Sequence, residues 1–245
     1  MTAPDNNPLP VFATTHWSAV VQASRTDSPE TARALEELCG TYWYPLYAYV
    51  RRLGHDVHSA QDLTQEFFRK LLEKNSLSIV DRRRGKFRWF LLTAFKGFLA
   101  NEWDRVRAQK RGSGRQPIAL DELTAEQRYR LEPADELSAD RIYERRWALT
   151  LLEGARVRLR DEYTVAGKER RFELLEGCLP GEQVARSHAE TSAELGLSEG
   201  AVKVEVHRMK KRYGELLREA VAKTVADPGE VDEEIRHLID VLAGR

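Results

Sequence analysis

The stretch Ser187–Tyr213, S-H-A-E-T-S-A-E-L-G-L-S-E-G-A-V-K-V-E-V-H-R-M-K-K-R-Y, carries the strongest structural signal in the chain. It predicts a short helix that ends near Leu195, a tight turn at Gly196 and Leu197, and a second helix with Ser198 as its N-cap. Helical periodicity places an apolar stripe on the core side of the second helix, formed by Val202, Val206, Met209 and Tyr213. The opposite side carries Gly200, Lys203, Val204, His207, Arg208 and Lys211.

Two helices joined by a glycine-containing turn, the second exposing small and basic side chains, are typical of a helix-turn-helix. In that arrangement the N-terminal half of the second helix meets base edges in the major groove, and neighbouring cations meet phosphates. The spacing alone is equally compatible with an ordinary helical hairpin that has a solvated basic surface.

The charge of the chain is strongly segregated. With 245 residues and 42% hydrophobic content, the chain can form one large or two modest domains with real cores. The formal net charge is +0, yet segment 82–115 has eleven Lys and Arg against two acids, and segment 119–140 has seven acids against two arginines. Basic surfaces separated by acidic connectors indicate a polyanionic partner.

Several classes of protein are disfavoured by composition. Cys39 and Cys178 are too few for a disulfide framework or a zinc site, which fits a reducing compartment. No apolar run reaches membrane-spanning length, and the N-terminus lacks a secretion-signal pattern. No metal-spaced cluster, phosphate-binding glycine loop or nucleophile motif is present, so an enzyme acting on nucleic acid is a weak alternative. We therefore expect a cytoplasmic protein that is not an enzyme, with no metal, cofactor, membrane or small-molecule substrate.

Apolar residues at steps of three and four predict an all-α fold. Helices are expected from Thr15 through Ala23, from Pro29 toward Leu53, from Val57 to Lys74, from Phe87 to about Gln109, from about Ile142 through Leu159, from Phe172 to Leu179, and from Glu230 to Leu242. Pro45 should bend or divide the second of these. The last helix has an apolar stripe that either folds back on the second domain or awaits a partner, formed by Val231, Ile235, Leu238, Ile239 and Leu242.

Two of these helices also carry polar patterns. The helix at 57–74 has a compact polar side, Asp62, Gln65, Glu66 and Arg69, whose ordinary interpretation is a solvated face. The helix from Phe87 and the loop before it interleave cations with Trp89 and Trp103. Such a combination suits unpaired DNA, because cations follow the backbone and rings stack on bases, although most aromatic residues in helices are simply core.

The stretch at 187–213 resembles the promoter-reading domain of bacterial RNA polymerase sigma factors, sigma-70 family, of the extracytoplasmic-function (ECF) type. The family pattern is roughly E-I-A-x-x-L-G-I-S-x-G-T-V-K-S-R-L-H-R. The chain matches it at Glu190, Leu195, Gly196, Leu197, Ser198, Gly200, Val202, Lys203, His207 and Arg208. It departs where Thr191 and Ser192 replace an apolar pair, and where Val204 and Glu205 replace Ser-Arg, which removes an arginine able to grip guanine and puts an acid beside the groove face.

Two further segments resemble the same family. The motif A-x-D-L-x-Q-E-x-F at 60–68 is similar to the segment that docks on the clamp of the polymerase largest subunit. The resemblance implies that Asp62, Gln65 and Glu66 pair with basic residues of that clamp, while Leu63 anchors the helix. The segment from Phe87 is similar to F-R-A-W-L-x-x-I-A-R-N, whose preceding loop captures a flipped base of the minus-ten element. This implies contacts with the melted strand from Arg83, Arg84, Lys86, Arg88, Trp89 and Lys96.

The resemblance implies two helical domains joined by a flexible acidic linker. A leader at 1–15 precedes the polymerase and minus-ten domain at 16–111, the linker at 112–141 and the helix-turn-helix domain at 142–218, while the extension at 219–245 is unexplained. The second domain would read the minus-thirty-five element with Ser198, Gly200, Lys203, Val204, His207, Arg208 and Lys211.

A sigma factor that directs promoter recognition and melting is thus the implied function. The implied partners are polymerase core, through its clamp and flap, promoter DNA, and an anti-sigma protein as a candidate. The alternative is a stand-alone helix-turn-helix repressor or activator. That alternative requires a dimer and a palindromic site, and it leaves the two N-terminal motifs unexplained.

Overall fold

The computed structural model describes residues 29–72, 86–108, 125–126, 129, 137–180 and 187–245. Every regular element in these ranges is helical, which confirms the all-α prediction. The helices are α1 Pro29–Arg52, α2 Val57–Leu72, α3 Phe87–Ala108, α4 Ala139–Val165, α5 Glu169–Leu175, α6 His188–Leu195, α7 Glu199–Ala222 and α8 Val231–Leu242, with 3-10 turns at Glu176–Cys178 and Pro228–Glu230. The leader, the helix predicted from Thr15, and Arg83 and Arg84 lie outside the described residues.

The larger of two cores, called the first core here, combines elements from both ends of the chain. It joins α1, α2 and α3 with the N-terminal half of α4, the end of α7 and α8. Aromatic rings fill its centre, with 4.8 Å between the ring centroids of Phe67 and Phe95 and 5.3 Å between those of Tyr42 and Phe87. Pro45 is buried within α1, and the helix runs through it undivided. Burial of the flanking turns offsets the hydrogen bond that proline cannot make.

Helix α4 takes part in both cores. Its N-terminal half buries Ile142, Tyr143 and Trp147 in the first core, and further along Ala155 and Leu159 enter the second core, with α5 and the N-terminal half of α7. Ser138 caps the helix by accepting a hydrogen bond from the Arg141 amide at 3.3 Å. The domain boundary expected at 141/142 therefore falls inside the first turn of a 27-residue helix that serves both halves.

Glu126 and Tyr129, described residues of the expected flexible linker, are packed on α1. The Tyr47 hydroxyl donates to the Glu126 carboxylate at 2.9 Å, and Arg51 forms an ion pair with the same group at 3.0 Å. Ala125 is buried, and the Arg51 guanidinium lies 4.9 Å from the ring centroid of Tyr129. At these positions the chain is packed rather than solvated, because the acidic side chain meets a half-buried arginine.

The C-terminal helix α8 was expected at 230–242 and is present. It folds back on α4 and α7, elements of the predicted second domain, and Val231, Leu238 and Val241 are buried in the first core. Glu234 is also buried, whereas Ile239 of the predicted stripe is 57% exposed. Compared with the predicted stripe, the buried face of α8 is therefore shifted around the helix, away from Ile239 and toward Glu234. In the described part of the chain no helix has both the length and the apolar character needed to cross a bilayer.

Candidate functional site

Hydrogen bonds at its N-terminus fix the start of α6. The Ser187 hydroxyl accepts from the Glu190 amide at 3.2 Å, and the Glu190 carboxylate accepts from the Ser187 amide at 3.0 Å. This reciprocal capping box satisfies two amides that the helix leaves unpaired. Thr191, which stands where the sigma pattern has an apolar residue, is buried, and its hydroxyl donates to the Ser187 carbonyl at 3.0 Å. The polar departure is therefore accommodated by a local hydrogen bond.

The turn between α6 and α7 is as tight as the sequence predicts. Gly196 has φ of 64°, in the left-handed region that glycine adopts without steric cost. The Ser192 hydroxyl donates to the Leu197 carbonyl across the turn. Ser198 caps α7, accepting from the Ala201 amide at 3.2 Å. Local chemistry thus fixes the angle at which α7 leaves the turn.

The inward side of α7 is the predicted stripe. Val202, Val206, Met209 and Tyr213 are all buried in the second core. The Tyr213 hydroxyl also donates to the Leu152 carbonyl of α4 at 3.2 Å. The rotation of α7 about its axis is therefore set by packing, and this prediction is confirmed.

The outward side of α7 presents all of the predicted groove-reading residues to solvent. Ser198, Gly200, Lys203, Val204, His207, Arg208 and Lys211 are exposed, and so is Lys210. Lys203, Lys210 and Lys211 form no ion pair with any described residue. By contrast, Arg212 at the edge of this face is held by Glu162 at 2.7 Å. The face combines unneutralised ammonium groups with a valine that is 49% exposed.

Glu205 lies at the side of this face rather than at its centre. Its side chain is 19% exposed and meets the Arg208 guanidinium at 3.4 Å. With Tyr163 of α4 it lines a shallow depression of about 280 Å³. The carboxylate therefore lies between Arg208 of the outward face and Tyr163 of α4.

The predicted polymerase-docking residues occupy one side of α2. Asp62 is exposed and forms no ion pair with the residues that the structure describes. Gln65 is half-buried, and Glu66 forms ion pairs within the helix with Arg69 at 2.6 Å and Lys70 at 3.7 Å. Leu63 packs against the first core from its edge. The apolar side of α2 also buries Thr64 and Phe68.

The predicted minus-ten residues differ in their exposure to solvent. Trp89 is 46% exposed, and Lys96 forms an exposed ion pair with Asp140 at 2.7 Å. Arg88 is only 2% exposed and forms an ion pair with Glu234 of α8. The expectation that Arg88 supplies surface charge is therefore wrong in this conformation, because α8 covers it.

Lys86 also forms ion pairs with carboxylates of α8. Its ammonium group lies 2.8 Å from Glu233 and 3.0 Å from Glu234. Burial acts to lower the pKa of Lys86, but the hydrogen bonds to the two glutamates outweigh it and raise the pKa. The bond to Lys86 in turn lowers the pKa of Glu233. The acidic first turn of α8 was visible in the sequence, but nothing local identified its partner.

The same region holds a second pair of half-buried ionisable groups. His237 Nε2 lies 3.7 Å from Glu144 Oε1. Burial first, and then Arg88 and Lys86, lower the pKa of His237 to about 4, while burial raises that of Glu144. Among the described residues no cluster of His, Cys, Asp and Glu is placed to hold a metal ion.

We compared the chain with known protein families, with curated proteins and with solved structures, and nothing matched it.

Proposed function

We propose that this chain is a sigma factor that binds RNA polymerase core and directs promoter recognition and melting. The observation that carries the proposal is the outward face of α7, where Lys203, Lys210 and Lys211 form no ion pair with the residues that the structure describes. Lysines without carboxylate partners favour contact with phosphates, a sequence-independent term with a salt slope of about −0.9 per phosphate.

Sequence reading would come from the N-terminal half of α7. Gly200 and Val204 leave room for close approach to the major groove, and an exposed valine suits a thymine methyl. Lys203, His207 and Arg208 are the remaining candidates for base edges. Arg208 would have to leave or share its contact with Glu205.

The first half of the molecule would supply polymerase binding and strand separation. Asp62 and Glu66 lie one turn apart on α2, where acidic groups suit a basic clamp surface because complementary charge sets register. Trp89 and Lys96 are the exposed minus-ten candidates among the described residues. The chain would act in the cytoplasm with clamp, flap and promoter DNA as partners and an anti-sigma protein as a candidate restraint, without catalysis of its own.

The proposal is tested by reconstituting the chain with bacterial core polymerase and sequencing the transcripts that start only when the chain is added. Lys203→Ala should reduce these transcripts about five- to tenfold while leaving capture of core unchanged, since loss of one groove contact costs about 1 kcal/mol or more. Arg33→Ala, an exposed cation on α1, is the matched control and should change neither quantity. Equal loss of transcription and of core capture by Lys203→Ala would contradict the groove assignment.

The dimeric regulator is separated from this proposal by size and by DNA preference. A dimer that binds an isolated palindromic duplex in the absence of polymerase would favour the regulator. A monomer that selects its promoter only together with core supports the sigma factor.

A further inference from the structure

The C-terminal segment covers the N-terminal end of α3. Glu233 and Glu234 in the first turn of α8 meet Lys86, and Glu234 also meets Arg88. The carbonyl of Thr224, between α7 and α8, accepts a hydrogen bond from the Phe87 amide at 3.3 Å. An amide at the start of a helix, with neighbouring cations, is a favourable place for an anion. Here that place is already occupied by the chain itself.

The contacts between α8 and the start of α3 include an exposed ion pair and a buried one. The Glu233 side chain is 64% exposed, whereas those of Arg88 and Glu234 are 2% and 0% exposed. An exposed ion pair is readily exchanged for another anion, because water and salt screen it. A buried pair is not, because separating it leaves an uncompensated charge. Glu233 is therefore the partner of Lys86 that another anion can replace while Glu234 and α8 stay in place.

We propose that segment 224–234 is a built-in acidic cover that competes with the DNA backbone for the N-terminal end of α3. This inference rests on the proposed function, in which that end of α3 contacts the melted strand. In the covered state Glu233 and Glu234 occupy Lys86, and a phosphate must displace Glu233 to reach it. Access to single-stranded DNA is thereby restrained by the chain's own C-terminus.

Glu233→Gln removes the exposed carboxylate and leaves the buried pair intact. Its affinity for single-stranded DNA should rise about two- to fivefold, the range that one exposed ion pair supports. Asp240→Asn is the matched control, because it makes the same charge change two turns further along α8 at an exposed position and should leave the affinity unchanged. The probe is a fluorescein-labelled single strand of about 20 nucleotides, longer than a typical binding site, titrated into the full chain and followed by anisotropy.

A second background tests whether the gain comes from Lys86. In Lys86→Met, Glu233→Gln should no longer raise the affinity. A gain that persists there, or that equals the gain of Asp240→Asn, would show a general charge effect and overturn the cover. Equal affinities of wild type and Glu233→Gln, including no measurable binding by either, also overturn it.

A second measurement on the same variants separates a wrong inference about segment 224–234 from a wrong proposed function. Capture by core polymerase is measured for the same chains. If core polymerase captures the chain but Glu233→Gln leaves its DNA affinity unchanged, the competition by segment 224–234 is refuted and the proposed function stands. If core polymerase does not capture the wild-type chain, the proposal that the chain is a sigma factor is refuted.

Discussion

Glu234→Gln should destabilise the fold by about 3–5 kcal/mol, the usual cost of removing one partner from a buried ion pair. The substitution keeps the shape of the side chain but removes the charge that faces Arg88. Both side chains of the pair are almost fully buried, at 2% and 0% exposure, so water cannot replace the lost carboxylate. Lys86, 3.0 Å from Glu234, would lose one of its two partners at the same time.

Neighbouring rings should not offset this cost. The Arg88 guanidinium lies 5.0 Å from the ring centroid of Trp147 and 5.2 Å from that of Trp89. Cation–π contacts of this kind are worth about 0.5–2 kcal/mol, but they are present in wild type as well and therefore do not replace the carboxylate. They hold the guanidinium in place, which keeps the uncompensated charge buried.

The assay is urea unfolding of the full chain, followed by circular dichroism. Arg88→Met combined with Glu234→Leu removes both charges together and should be far less destabilising than Glu234→Gln, because apolar replacement of a buried pair is often neutral. A loss below about 1 kcal/mol for Glu234→Gln would refute the reasoning. So would a double variant no more stable than the single one, since the penalty would then not arise from unpaired charge.

Three further outcomes are expected. Ser187→Ala should cost about 1 kcal/mol of stability, measured by urea unfolding, because it removes the cap of α6; an unchanged midpoint would contradict the capping assignment. Between pH 6.5 and about 4 the unfolded chain binds a proton at His237 that the folded chain does not, so wild-type Tm should fall faster with decreasing pH than that of His237→Gln. The raised pKa of Glu144 has the opposite effect on stability as the pH falls. Identical dependence of Tm on pH in wild type and His237→Gln would argue against a buried neutral histidine. Asp62→Lys with Glu66→Lys should abolish capture by core polymerase with circular dichroism unchanged, and undiminished capture would remove the docking assignment.

The two helices at 188–222 and the turn between them could be predicted because their determinants are local. Ser187 and Ser198 cap the helices, Gly196 takes a positive φ, and the apolar stripe of α7 repeats with the helical period. Each of these features depends on residues at most a few positions apart. Local chemistry of this kind is legible in a single sequence.

The position of α8 could not be predicted in the same way. Its stripe showed that one face would be buried, but Lys86 and Glu233 are separated by 147 positions. Burial of Glu234 requires Arg88 as a partner, and an arginine inside the predicted minus-ten segment was a natural candidate for surface charge. The packing of Glu126 on Arg51 is likewise set by tertiary contact, since acidic composition alone resembles a solvated connector.

We propose that the chain confers promoter choice on RNA polymerase, and adding purified chain to core polymerase on genomic DNA tests this most directly. The chain should form a stable complex with core and produce a set of transcription start sites that core alone does not use. A chain that fails to associate with core at low and moderate salt, and leaves the start sites unchanged, would contradict it.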